Sequence, residues 1–324
     1  MTTGSRRIYA VFALLATLCW GAGVTMTKIA LQDFPPPQLL IIQLLASVAC
    51  LVLVAFVLGQ VPKSIGGTVR VMWLGALEPG LAYFLGLEGL KRVSASEAVV
   101  LSSTESVMVV LLAWLMFRRA PKRAAIVLSI LGGAGAVLVG GEHWNLGGQS
   151  LFGDLLIIGG VLCAAAYVVN SARVSADIEP LPALIGQQLV AIVVALTLSW
   201  VLADHFVPTA QVGWRGWAMA LASGVVQYAA AFWFYLWALK GISATAAGLC
   251  LNLIPVFGLL ISMPVLGERL GALQWVGAAA ILVSVAALTW VNDEHAAPTR
   301  KQEQPCDDDL ADASVAGLST PARR

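Results

Sequence analysis

Ten predominantly apolar segments alternate along the chain with short polar or proline-containing breaks. Each segment is close to the length, about 20 residues, that an α-helix needs to cross the hydrocarbon core of a bilayer. The segments cover residues 8–31, 38–59, 70–90, 96–117, 123–141, 152–172, 182–203, 214–238, 244–265 and 272–291. The pattern predicts an all-α polytopic membrane protein with ten transmembrane helices, which we call spans 1 to 10.

Composition and charge agree with this fold class. Of the 324 residues, 59% are hydrophobic and 11% are charged, whereas a soluble domain carries about 25% charged residues. The formal net charge of +1 creates no field that would attract nucleic acid, so no nucleic-acid partner is expected. The five cysteines show neither metal-site spacing nor a disulfide framework, and we expect no metal and no cofactor.

The distribution of lysine and arginine predicts how the chain crosses the membrane. Span 1 is longer than the apolar core of a signal peptide, about 7–15 residues, so we interpret it as a retained helix. With a cytoplasmic N-terminus, ten Lys and Arg residues before the C-terminal tail fall on the inside and four fall on the outside. Because positive residues accumulate on the cytoplasmic side, we predict a cytoplasmic (inner) membrane protein with both termini in the cytoplasm.

Two nine-residue stretches indicate an internal repeat: "LKRVSASEA" from Leu90 and "LKGISATAA" from Leu239, offset by 149 positions. The same offset aligns Gly75 with Gly224, and a slightly shorter one aligns "FPPPQLLIIQLL" with "EPLPALIGQQLV". The halves are therefore two five-helix repeats. Since five is odd, the second repeat must enter the membrane from the opposite side. Inverted repeats of this kind are typical of transporters that work by alternating access.

The repeat predicts the domain organisation of the whole chain. After a cytoplasmic N-terminus over residues 1–7, the first repeat covers residues 8–141 and the second covers residues 152–291. Residues 292–324 contain few large apolar side chains and no periodicity. Such a composition predicts a disordered cytoplasmic tail.

Two motifs carry a family resemblance. "CWGAGVTMTKIAL" in span 1 resembles the first-helix pattern of the EamA-type transporters of the drug/metabolite transporter superfamily. "ALKGISATAAGLCLNLIPVFGLLISMPVLGERLGALQWVGAAAILV" is similar to the signature of their later helices. The resemblance covers about residues 8–291. It implies ten helices in two inverted units and the movement of small metabolites across a cell membrane, commonly outward.

Carboxyl groups predicted inside the bilayer are the first candidates for the transport site, because ionisable residues at this depth are costly, about 2.5–3.5 kcal/mol each on insertion scales. Glu78 lies in span 3 beside Pro79, and the repeat offset places it opposite Gln227 in span 8. Glu105 lies in span 4, where Ser102 shares its helix face. Each glutamate is interpreted either as a substrate or proton site or as a group held by neighbouring helices for packing.

The other candidates are polar, aromatic or helix-breaking residues in the predicted spans. Gln43 and Gln188 occupy matching positions in spans 2 and 7, where they could bind substrate or join helices. Tyr228 and Phe232 share a helix face and could form a pocket wall. The hinge or gate candidates are Pro79, Pro255 and Lys28, with Asn252 beside Pro255 as a further binding candidate. Lys28 either extends to the membrane interface or faces the cavity mouth, and Pro255 marks either a break or a static kink.

These observations predict a secondary transporter of small metabolites, amino-acid-like or drug-like, acting as an exporter. No GxxxxGK[ST] loop occurs, so ATP is not expected to drive it directly, and protons are a second candidate partner besides the substrate and the lipid bilayer. The alternatives are a membrane-embedded enzyme and a non-transporting scaffold or sensor. Neither HExxH nor GxSxG occurs, which disfavours catalysis. A seam of small residues in span 5 leaves both a monomer and a homodimer open.

Overall fold

The computed structural model describes residues 3–59, 65–90, 92, 101–102, 104–118, 121–140, 151–174, 178–201, 212–266 and 271–293. Every secondary-structure element in these ranges is helical. Three features of the sequence analysis lie outside them: residues 294–324 of the predicted tail, residues 267–269 of the second family motif, and most of the first nine-residue repeat copy.

The described helices follow the predicted spans in order. Those of the first half are α1 (Thr3–Ala30), α2 (Pro36–Val57), α3 (Ile65–Met72), α4 (Ala82–Leu90), α5 (Glu105–Phe117) and α6 (Arg123–Gly140). Those of the second half are α7 (Leu151–Val174), α8 (Pro180–Val201), α9 (Trp214–Ser223), α10 (Ala231–Ala238), α11 (Ala244–Leu251), α12 (Leu253–Leu266) and α13 (Ala272–Asp293). Helices α2 and α8 both begin with proline. Proline suits the first turn of a helix because the N–H groups of that turn have no acceptor within the helix, so the missing N–H costs no hydrogen bond.

Within the described ranges, six helical segments are long and apolar enough to cross a membrane. They are Arg7–Ala30, Pro36–Val57, Leu151–Val174, Pro180–Val201, Trp214–Ala238 and Ala244–Val265. Three shorter apolar helices accompany them, namely Glu105–Phe117, Arg123–Leu138 and Ala272–Ala287. The prediction of an all-helical polytopic protein is confirmed, and the count of ten spans stays a prediction.

Spans 3 and 8 are each interrupted at the same place in the repeat by a π-helical segment. The two segments are Ala76–Leu81 and Gly224–Ala230. In the first, the N–H of Ala82 donates to the carbonyl of Leu77, and in the second the N–H of Ala231 donates to the carbonyl of Val226. Donors and acceptors correspond at the offset of 149 positions, so the repeat seen in the sequence extends to an individual backbone hydrogen bond.

Glycines at the two interruptions allow spans from different repeats to pack with their backbones in contact. A Cβ atom on Gly75 would overlap the carbonyl group of Gln187 in α8. A Cβ atom on Gly224 would lie 2.5 Å from the carbonyl oxygen of Gln43 in α2. Each interrupted span is therefore held against the other half of the chain, and the space between the halves lies beside the interruptions.

Candidate functional site

A cavity of about 440 Å³ lies between the two halves of the chain. Ligand pockets commonly measure about 300–1,000 Å³, so the cavity has the size of a small-molecule site. Its polar side chains come from spans 1 to 4 and span 8: Thr27, Lys28, Gln43, Glu78, Ser102, Glu105 and Gln227. Its aromatic side chains are Trp20, Tyr83, Tyr228 and Tyr235.

The two carboxyl groups reach the cavity from different backbone environments. Glu78 lies in the first π-helical segment with an extended backbone, φ −147° and ψ 129°, and buried Pro79 follows it. A proline has no N–H to donate and cannot continue the helical hydrogen-bond pattern, which accounts for the interruption at this point. Glu105 is instead the first residue of the regular helix α5. The predicted pair Glu78 and Gln227 thus lines one cavity, and Glu105 lines it too.

A hydrogen-bonded network ties spans 1, 2 and 8 together at the cavity wall. The Gln43 side-chain amide donates to the hydroxyl oxygens of Thr27 at 2.9 Å and Ser223 at 2.7 Å. The Thr27 hydroxyl donates to Gln227 Oε1 at 2.8 Å, and the Ser223 hydroxyl donates to the Ala220 carbonyl at 2.9 Å. Gln43 therefore joins helices, one of the two roles that its sequence position left open, and it also lines the cavity.

The aromatic residues form a layered wall. Tyr83 and Tyr228 have ring centroids 5.0 Å apart, and Trp20 packs edge-on against Tyr235 at 5.2 Å. Phe232 is fully buried and stacks with Tyr228 at 6.4 Å, so it supports the wall from behind instead of lining it. In the described part of the chain, neither Trp20 Nε1 nor the Tyr235 hydroxyl has a hydrogen-bond partner.

The structure places the remaining candidates around the cavity. Gln188 is buried in α8 and donates to the Tyr228 carbonyl at 2.7 Å, so it holds the second π-helical segment. Asn252 occupies the break between α11 and α12, and Pro255 falls in the first turn of α12. Leu251, just before the break, and Ile254, in the first turn of α12, line the cavity. Lys28 is exposed in the last turn of α1 and lines the cavity as well.

Apart from Lys28, sequence reasoning missed the contribution of span 1 to the cavity. Trp20, Val24, Thr27 and Leu31 line it, and their spacing of four, three and four residues is that of one helix face. This spacing was available in the sequence. Nothing in the sequence marked the face as inward, because its apolar members resemble those that face lipid.

The apolar helices and an internal cavity lined by several polar side chains define a multi-pass membrane protein with a candidate small-molecule site. Among the described residues, no group of three or more His, Cys, Asp or Glu side chains could hold a metal ion. A family model described as the EamA-like transporter family matches the chain twice, over residues 7–141 and 151–290. The chain belongs to this family and is a membrane transporter, a family assignment that does not imply an enzyme.

Similar proteins extend over most of the chain. The uncharacterized transporter sll0355 of Synechocystis sp. (strain ATCC 27184 / PCC 6803 / Kazusa) is 25% identical over 286 residues, 82% of this chain and 85% of the relative. The uncharacterized transporter YwfM of Bacillus subtilis (strain 168) is 21% identical over 283 residues, 87% and 94% of the two chains. A solved crystal structure matches with a TM-score of 0.75 at 16% identity, covering 89% of this chain and 99% of its own. That likeness shows a shared fold.

Proposed function

We propose that the protein is a secondary transporter that exports small amphipathic metabolites across the cytoplasmic membrane. The two repeats, inverted with respect to each other, exchange conformations so that the cavity opens alternately to the two sides. Both termini are cytoplasmic in this proposal. The observation that carries it is a cavity of about 440 Å³ whose wall contains residues of both repeats, so any relative movement of the repeats changes access to it.

The chemistry of the wall supports a zwitterionic, amino-acid-like substrate. The cavity presents a cation, Lys28, together with the carboxyl groups of Glu78 and Glu105. The rest of the wall is largely apolar and aromatic, which suits the hydrocarbon part of such a molecule. A substrate with opposite charges and an apolar side chain would match all three features.

The position of the cavity supports an outward-facing conformation. It reaches Lys28 and Leu31 at the end of α1, which the charge distribution predicts to be outside. Towards the other end of α1, aromatic contacts close the space: Trp20 packs against Tyr235, and Phe12 stacks with Trp237 at 6.0 Å. In an exporter this conformation is the one from which substrate leaves.

Flux into proteoliposomes tests the proposed function. The full-length protein is reconstituted into vesicles that contain a pH-sensitive dye and is challenged with pools of amino acids, sugars, nucleosides and cationic drugs, and radiolabel counterflow is measured in parallel. We expect counterflow for an amino-acid pool, absent from protein-free vesicles. Chemical conversion of a solute without flux would favour an enzyme. Neither flux nor conversion in any pool would favour a scaffold or sensor.

The orientation is tested by cysteine labelling in intact cells. All five native cysteines are replaced, and a single cysteine is introduced as Lys28→Cys or, as the matched control, Arg123→Cys. Both native side chains are exposed, and the charge distribution predicts Lys28 to be outside and Arg123 inside. We expect a membrane-impermeant maleimide to label only the Lys28 variant and to label both after permeabilisation. Labelling of the Arg123 variant in intact cells would reverse the proposed orientation.

A further inference from the structure

The hydrogen-bonded network at the cavity wall runs from Ser223 to Gln227. Which group donates and which accepts at each step follows from the bond between Ser223 and a backbone carbonyl. A backbone carbonyl accepts hydrogen bonds and cannot donate them. The Ser223 hydroxyl therefore uses its hydrogen on the Ala220 carbonyl and must act as the acceptor towards Gln43. The atom of Gln43 that meets Ser223 at 2.7 Å must then be the amide nitrogen.

The same logic continues to the cavity. Because the Gln43 amide nitrogen also donates to Thr27 at 2.9 Å, the Thr27 hydroxyl is free to give its own hydrogen to Gln227 at 2.8 Å. Only the side-chain oxygen of Gln227 can accept that hydrogen. In this arrangement the Gln227 oxygen faces Thr27, and its NH2 group is turned away from Thr27.

Gln227 is also fixed in position. A Cβ atom on Gly23 would lie 2.5 Å from the Gln227 Cβ atom, so the side chain lies directly over the backbone of α1. Gln227 lines the cavity, and so does Tyr83 from the other repeat. Because its oxygen accepts from Thr27, the Gln227 side chain offers its NH2 group as the hydrogen-bond donor for a ligand.

We infer that Thr27 is a positioning residue that turns the Gln227 amide so that the cavity presents an N–H donor for a carboxylate group of the substrate. Lys28, the next residue of α1, lines the same cavity. The Gln227 amide is thus oriented by side chains of spans 1, 2 and 8. This inference rests on the proposed function, because it names the part of the substrate that this wall recognises.

Ligand-dependent thermal stability of the purified full-length protein in detergent tests the inference without requiring transport. The probes are L-phenylalanine, phenylalaninamide, which lacks the carboxylate, and 3-phenylpropionate, which lacks the amine; their common ring suits the aromatic wall. The variants are Thr27→Val, which keeps the shape and loses the hydroxyl, Thr27→Ser, which restores the hydroxyl, and Gln227→Glu, which still accepts from Thr27 but offers no N–H donor.

For the native protein we expect phenylalaninamide to bind about tenfold or more weakly than phenylalanine, since a hydrogen bond to a charged group is lost. Thr27→Val should remove most of this preference, Thr27→Ser should retain it, and Gln227→Glu should abolish binding of both carboxylates. Two results would overturn the inference. One is that Thr27→Val keeps both the native preference for phenylalanine over its amide and the native ligand-free Tm. The other is that the native protein binds phenylalanine and its amide equally.

The outcomes also separate this inference from the proposed function. If none of the three probes stabilises the protein while proteoliposomes carry another solute, the carboxylate site is wrong and transport stands. If the probes discriminate as expected but no solute crosses the membrane, the site stands and the proposed function fails.

Discussion

Gly75→Ala should destabilise the protein by about 3 kcal/mol, at the upper end of the usual cost of overpacking, and should abolish transport. The backbone of Gly75 has ordinary helical angles, φ −63° and ψ −23°, so alanine is sterically allowed locally. The added methyl group would nevertheless overlap the Gln187 carbonyl in α8. A backbone carbonyl cannot move aside as a side chain can, so the helices must separate at the interface of the two repeats.

The matched control is Gly159→Ala in α7, where the nearest atom to the new methyl group would be a Leu85 side-chain carbon at 3.6 Å. Alanine is a better helix former than glycine by about 1 kcal/mol, and this contact is ordinary, so the control should be neutral or stabilising. Thermal unfolding in detergent and size-exclusion profiles measure both variants. Equal Tm values for Gly75→Ala and the native protein would contradict the close backbone contact.

Hydropathy predicted the helical membrane fold because it measures what the bilayer itself selects for, the transfer of side chains from water to hydrocarbon. It cannot separate the face towards lipid from the face towards protein, since both are apolar. Phe56 and Trp200, 85% and 83% exposed, are as hydrophobic as fully buried Phe232. For this reason Phe232 was predicted at the cavity surface, although it lies one layer behind Tyr228.

Part of the candidate site was predictable because a polar side chain inside a membrane is costly unless it faces protein or a cavity. Glu78, Glu105, Gln43 and Gln227 were found in this way, and all of them line one cavity. The network through Thr27 was not predictable in this way. A threonine hydroxyl can donate its hydrogen to a backbone carbonyl of its own helix, so a threonine in a membrane span does not indicate a cavity or a polar partner.

The interruptions were only partly visible in the sequence. Pro79 and Pro255 marked spans 3 and 9 as irregular, and each falls within or just after an interruption in the structure. Span 8 has no proline, yet it contains the second π-helical segment. Its irregularity arises from tertiary contacts, with Gly224 packed on α2 and the Tyr228 carbonyl accepting from Gln188. A local sequence pattern does not record contacts of this kind.

Glu78→Gln should reduce solute-driven proton movement to the level of protein-free vesicles, a loss of about tenfold or more, while leaving solute binding measurable. Glutamine keeps the size and most of the polarity of glutamate but cannot take up or release a proton. We propose Glu78 as the proton carrier because it lines the cavity at a non-helical residue within the interrupted span. A change in the backbone at that point would move its carboxyl group directly.

Two comparison variants decide whether the effect belongs to this position. Glu105→Gln removes the other carboxyl group of the cavity wall, and Glu179→Gln removes a carboxyl group just before α8 that does not line it. We expect Glu179→Gln to preserve coupling fully and Glu105→Gln to preserve it in part. The pH dependence of counterflow is measured for all three variants. If Glu78→Gln and Glu105→Gln both kept the native pH dependence, neither carboxyl group would carry protons, and the cavity would belong to an exchanger or a facilitator whose charged groups serve only to bind the substrate.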